Sequence, residues 1–166
     1  MLDTIRQCDQ VTWILCTKRP ENFFDRIDLV RKTHIGKLSD WLTDWRTGNA
    51  PTNVILLTSV ENQEAADQRI PELLKIPAAC RGLSLEPLLD AVRIKDWTGI
   101  SWAIIGAESG PRRRPCDNLW TINLVEQAQA AGLAVFVKQV SINGKVSHDI
   151  TEWPERLQVQ NWPKGF

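Results

Sequence analysis

The chain has 166 residues, close to the ~150 of an average domain, which suits one compact unit with room for a core. Hydrophobic residues make up 43% and charged residues 24%, a balance that excludes a disordered, collagenous or coiled-coil chain. Twenty Lys plus Arg cancel twenty Asp plus Glu, so no global basic field exists to hold a polyanion, and any nucleic-acid contact has to come from a local patch. The longest apolar runs fall short of the ~18 residues of a membrane span, and the first twenty residues lack a signal-peptide core. A cytoplasmic protein without a membrane partner is expected.

In chain order, Val11–Thr17 is a short apolar, β-branched run of the length of a strand buried on both faces. Residues 53–60, 81–85, 101–107 and 133–137 repeat that character, giving five candidate strands. Helical patterns lie between them at 21–30, 38–46, 62–75 and 118–131, the last closed by Gly132. Between Leu85 and Ser101 only one helical turn, near residues 88–92, is expected. The alternation predicts an α/β fold of right-handed crossovers and a parallel sheet, either part of a (β/α) TIM-type barrel or an open doubly wound sheet. A complete barrel normally needs at least ~200 residues, more than this chain offers.

In both architectures function belongs at the carboxyl ends of the strands. Those ends are polar here: Thr17, Lys18 and Arg19 after the first strand, Ser59, Glu61 and Asn62 after the second, and Glu86 after the third. Gly106, Glu108, Ser109 and Gly110 follow the fourth, and Lys138 and Gln139 the fifth. These side chains are expected to converge on one face as ligand-binding candidates.

The ordered segments TKRPENF, SVENQEAADQRIP, LSLEPLL, IIGAESGP and FVKQ, with the tail HDITEWPERLQVQNWP, resemble the phage gp thirty-seven/gp sixty-eight family, a phage-associated group of unknown function. The resemblance runs over essentially the whole chain. It implies a radical-SAM-like (β/α) barrel, of which residues 1–140 would be strands four to eight and residues 141–166 a tail packing on the barrel. Intact relatives are implied to hold S-adenosylmethionine and an iron-sulfur cluster on an early cysteine-bearing segment, and that segment is missing here. The four cysteines, Cys8, Cys16, Cys80 and Cys116, are dispersed, so they read as reduced structural thiols; neither a cofactor nor a metal is expected in this chain.

Each motif also has a structural reading. Lys18 and Arg19 suit an anion contact from a fixed loop, or equally an ion pair with Glu86 or Glu61. Glu86, with its backbone direction constrained by Pro87, suits a ligand contact or general base, against a rim salt bridge with Lys138 or Lys18. The GAESGP turn carries Ala107 where the family has a second glycine, which weakens a tight ligand approach. Gly106, Gly110 and the run Arg112, Arg113 and Arg114 together suggest an anion site, which Glu108 opposes unless an arginine intervenes. Eight tryptophans offer stacking surfaces for single-stranded bases, but strand and helix positions account for most of them by packing.

The function expected is that of an uncharacterised phage-associated barrel half that keeps the substrate- and cofactor-facing side. The alternatives are a non-catalytic binding or interaction module, or one half of a two-chain enzyme. An open half-barrel would leave the strands at residues 11–17 and 133–137 as bare edges, so a homo-oligomer or a complementary N-terminal half is the expected partner.

Overall fold

The computed structural model describes residues 1–166. Five parallel strands follow one another across the sheet in chain order: β1 (Trp13–Thr17), β2 (Val54–Ser59), β3 (Cys80–Leu85), β4 (Trp102–Gly106) and β5 (Ala134–Ile142). A short β6 (Lys145–Ser147) returns antiparallel on β5. The helices are α1 (Leu2–Gln7), α2 (Phe23–Thr33), α3 (Lys37–Arg46), α4 (Gln63–Lys75) and α5 (Asn118–Ala130).

A doubly wound sheet reverses its strand order at one point so that helices cover both faces. Here the order never reverses, so right-handed crossovers deliver every helix to the same side and the sheet curls into a half-barrel. On that outer side Leu83, Leu85, Ala103, Ile105, Val135 and Val137 pack with Leu73 of α4 and Leu124 and Val125 of α5. Ile5, Ile27, Leu42 and Trp45 from α1 to α3 close over Val54.

The alternate residues form the inner face, where Ile55, Leu57, Cys80, Trp102 and Ile104 make a separate cluster. Its cover comes from the carboxyl-terminal tail rather than from missing barrel strands. The Trp102 indole donates to the Asn161 carbonyl at 3.0 Å, Trp162 stacks on Trp102 with centroids 4.9 Å apart, and Phe166 packs beside them.

Three expectations need correction. The strand expected at 133–137 runs on to Ile142, because Asn143 and Gly144, at φ 49° and 73°, make a tight hairpin turn into β6. The edge of β5 is consequently not bare: β6 pairs with its second half, and the tail pairs with its first half through Val137 N–H to the Val159 carbonyl and Asn161 N–H to the Val135 carbonyl, both 2.8 Å. The helical turn expected at 88–92 does not form and the segment is irregular, since Leu88 N–H donates to the Gly106 carbonyl and Leu89 N–H to the Glu61 carbonyl, each at 2.9 Å. Those two bonds lay the segment across the carboxyl ends of the strands.

β1 remains an open edge, with Ile14 43% exposed and Cys16 also exposed. No helix is long and apolar enough to cross a membrane.

Gly82 sits in register between Leu57 and Trp102, and a methyl group there would lie 2.6 Å from Leu57 Cδ2 and 2.8 Å from the Trp102 carbonyl. Backbone cannot yield as a flexible side chain does, so Gly82→Ala is expected to cost about 1–3 kcal/mol. Denaturant unfolding checks it; an unchanged midpoint would mean that the inner face is looser than these distances imply.

Candidate functional site at the strand carboxyl ends

The rim is built from residues at and just past the carboxyl ends of the parallel strands, joined by Lys138 and Gln139, which lie within β5 rather than after it because that strand runs on to Ile142, and the side chains there divide between two shallow clefts. Lys18, Glu61, Asn62, Arg69 and Arg114 line one of about 330 Å³. Ser84, Glu86, Ala107, Glu108, Ser109, Lys138 and Gln139 line the other, of about 240 Å³. Pro87 belongs to both, held there by the Leu88 and Leu89 backbone bonds; the Glu86–Pro87 peptide is cis. Lys138 and Glu86, from strands that are not neighbours, thus meet on one side of the sheet.

In the first cleft Glu61 is nearly buried and accepts from two cations, the Lys18 ammonium and Arg69 Nη1 at 2.7 Å. Burial pushes the Glu61 carboxyl up, but Lys18, a backbone amide and Arg69 together outweigh it and hold the group below the ordinary glutamate value. Arg69 also donates to the Ser59 carbonyl at 2.8 Å, fixing the strand end to α4. Nothing in the strand-end pattern pointed to Arg69; its position two helical turns beyond the Asn62 cap is what brings it back to Glu61. Asn62 caps α4 by accepting from Ala65 N–H at 2.9 Å.

The second cleft is also organised by pairs. Lys138 Nζ lies 3.2 Å from Glu86 Oε2, and Ser84 Oγ is 3.5 Å from Glu86 Oε1. Arg114 clasps Glu108 with three bonds, from Nη2 at 2.6 Å, Nε at 2.8 Å and its backbone N–H at 2.7 Å. That clasp, side chain first and backbone second, lowers the Glu108 pKa to about 2. An arginine does intervene beside the carboxylate, and in doing so it is engaged within the protein. Arg113 donates to the Gly110 and Gly144 carbonyls at 3.3 and 2.7 Å, while Arg112 is exposed. The arginine run therefore points in separate directions.

Gln139 is the unusual group. The ladder slips between Ile105 and Gly106, so Gln139 rather than Lys138 opposes Gly106. Gly106 makes the space: a Cβ there would be 3.1 Å from Gln139 Cδ and Nε2. Gln139 Nε2 donates to the Ala107 carbonyl at 2.5 Å, and its Oε1 is buried without a partner.

The remaining candidates are held locally. Thr17 Oγ1 accepts from Arg19 N–H at 2.9 Å and the Thr17 carbonyl from Thr58 Oγ1 at 2.9 Å. Arg19 reaches Glu21 only at 3.7 Å, Ser59 Oγ lies 3.4 Å from Cys16 Sγ, and Ser109 and Gly110 are exposed on the turn.

An iron-sulfur cluster needs several thiolates around one centre. Cys8 follows α1, Cys16 is on β1, Cys80 opens β3 and Cys116 precedes α5, and no three His, Cys, Asp or Glu side chains gather to hold a metal ion. Burial pushes the Cys80 and Cys116 thiols up, away from the thiolate a cluster requires. These residues do not fit the cluster that the resemblance implies for intact relatives.

A run of parallel strands curled around a tail, with alternating charges paired along the carboxyl rim, defines a partial (β/α)-barrel protein. The chain belongs to the DUF5131 family, a protein of unknown function, whose model matches residues 1–159. No curated protein and no solved structure matches it.

Both rim carboxylates with lowered pKa contribute stability that is complete above their ordinary value of 4.5 and lost as pH falls through the folded value, about 2 for Glu108. The stability gap between wild type and Glu108→Gln is therefore expected to narrow as pH drops from 4.5 towards 2. Thermal melts across that window check it; a gap independent of pH would place the effect elsewhere.

Proposed function

We propose that this chain is the substrate- or cofactor-facing half of a phage-associated, radical-SAM-like barrel and that its carboxyl rim holds a small polar ligand. The single observation that supports this is the second cleft, which Glu86, Lys138 and Glu108 line together with Gln139, whose Oε1 is buried and left by the protein without a donor. Evolvable rims of this kind sit where barrels bind ligands, because strand ends fix the side chains while loops vary. The reductive step of such an enzyme lies outside these residues, whose thiols cannot gather around a cluster. Equilibrium dialysis against S-adenosylmethionine tests the reading: saturable binding is expected, weakened about tenfold, or ~1.4 kcal/mol, by Glu86→Gln. No binding at millimolar concentration, or binding indifferent to Glu86, would overturn it.

A second reading, one half of a two-chain assembly or a homo-oligomer, draws on the open β1 edge. Its backbone groups on the outer side have no strand partner, and an apolar groove of about 620 Å³ that includes Ile14, Leu15, Phe23 and Ile27 runs beside it. Long-lived proteins usually blunt such edges with charge, proline or a covering loop, as the tail does for β5 here. Sedimentation equilibrium at micromolar concentration is expected to give an assembly larger than one chain; a monodisperse 18.9 kDa particle would overturn this reading.

A further inference from the structure

We infer that the cleft beside β5 recognises an uncharged hydrogen-bond donor on its ligand, a carboxamide N–H or an alcohol O–H, received by Gln139 Oε1. The inference deepens the ligand reading of the rim and rests on it.

Gln139 is only 4% exposed, and its Oε1 has no partner. The orientation of the amide is set by its surroundings: Nε2 lies 2.5 Å from the Ala107 carbonyl, and the reversed amide would press two oxygens together. The orphan is therefore an acceptor and not a donor. A buried acceptor left unpaired is costly, and native proteins keep such groups rarely, often where a ligand or water completes them. The site is also constructed. The ladder slip after Ile105 turns Gln139 inward, and Gly106 supplies the room, since a Cβ there would meet the amide at 3.1 Å.

The charge of the ligand group that meets the acceptor follows from what surrounds it. Glu86 already holds Lys138, and Glu108 is clasped by Arg114 through three bonds. Each carboxylate near the cleft thus has its counter-ion. A cationic group at the acceptor would have to displace a lysine or an arginine, and an anionic one would meet two carboxylates. The one unmet demand is that of a neutral acceptor, which a neutral donor satisfies without breaking a pair.

Side-chain amide resonances of the uniformly ¹⁵N-labelled chain test this with four probes: acetamide, glycerol, methylammonium chloride and sodium acetate. Acetamide or glycerol is expected to move the Gln139 amide signals saturably, and whichever does so identifies a carboxamide or a hydroxyl donor. Gly106→Ala, which crowds the amide but keeps it, is expected to weaken that response about tenfold. The two charged probes are expected to leave Gln139 unmoved. Equal or stronger responses to the charged probes would overturn the inference. A response confined to the side-chain amide of Asn62 in the other cleft would also overturn it while leaving a ligand site on the rim, whereas silence from both amides would overturn the rim reading as well.

Discussion

A parallel strand cannot hand its chain directly to its neighbour; the chain has to travel back along the sheet before it starts again. That constraint sets most of what is seen here. Because each return is right-handed and the strand order never reverses, the helices gather on one side and all five strands run to one rim, which β5 passes on its way into the hairpin. Lys18, Glu61, Glu86, Glu108 and Lys138 are far apart in the chain and become neighbours only through that repeated geometry. Their opposite signs then pair them, Lys18 with Glu61 and Lys138 with Glu86, across distances that no local motif spans.

The same constraint leaves a problem on the other side of the sheet. With helices on one face only, the inner apolar face would meet water unless strands closed the barrel around it. The tail solves half of this. It lays Trp162 and Phe166 over Trp102 and Ile104, and on its way it pairs Val159–Asn161 with the first half of β5. The large aromatic surfaces matter here because few residues have to cover a wide cluster. The solution is one-sided, and it covers the edge that lies next to the tail. At β1, Ile14 and Cys16 stay exposed because no part of these 166 residues reaches them. The half-barrel is therefore finished at β5 and open at β1, an asymmetry that a closed sheet would not have.

What the sequence made legible follows the range of the forces involved. Strands such as Val54–Ser59 and helices such as Gln63–Lys75 announce themselves by local pattern, and the rim residues follow once the strands are parallel. The hairpin was also written locally, in Asn143–Gly144, the pair most suited to two adjacent positive φ values. Contacts between distant elements were not legible. Arg69 on Glu61 depends on how α4 docks, and Trp102 on Asn161 joins residues 59 apart in the chain. The segment after Glu86 misled for a related reason: Leu88 and Leu89 have a helical look, yet their amides are claimed by carbonyls at the ends of β4 and β2. Tertiary hydrogen bonds there override local preference. Single residues at the rim also carried two readings each, because an ion pair and a ligand contact call for the same side chains.

The structure separates those readings by asking which groups already have a partner. Lys18, Glu61, Asn62, Arg69, Glu86, Glu108, Arg114 and Lys138 are all satisfied within the protein. Such pairs hold the rim in shape, and at partly exposed positions they add little net energy to the fold. Satisfied charges are poor evidence for a ligand, since engaging one means first breaking a pair. An unsatisfied neutral group in a buried position is better evidence, because its cost persists until something completes it. The distinction moves attention from the most conspicuous residues of the sequence, the carboxylates and arginines, to Gln139 and the glycine that makes room for it. The charged pairs would then serve to fix the walls, and the amide to read what enters between them.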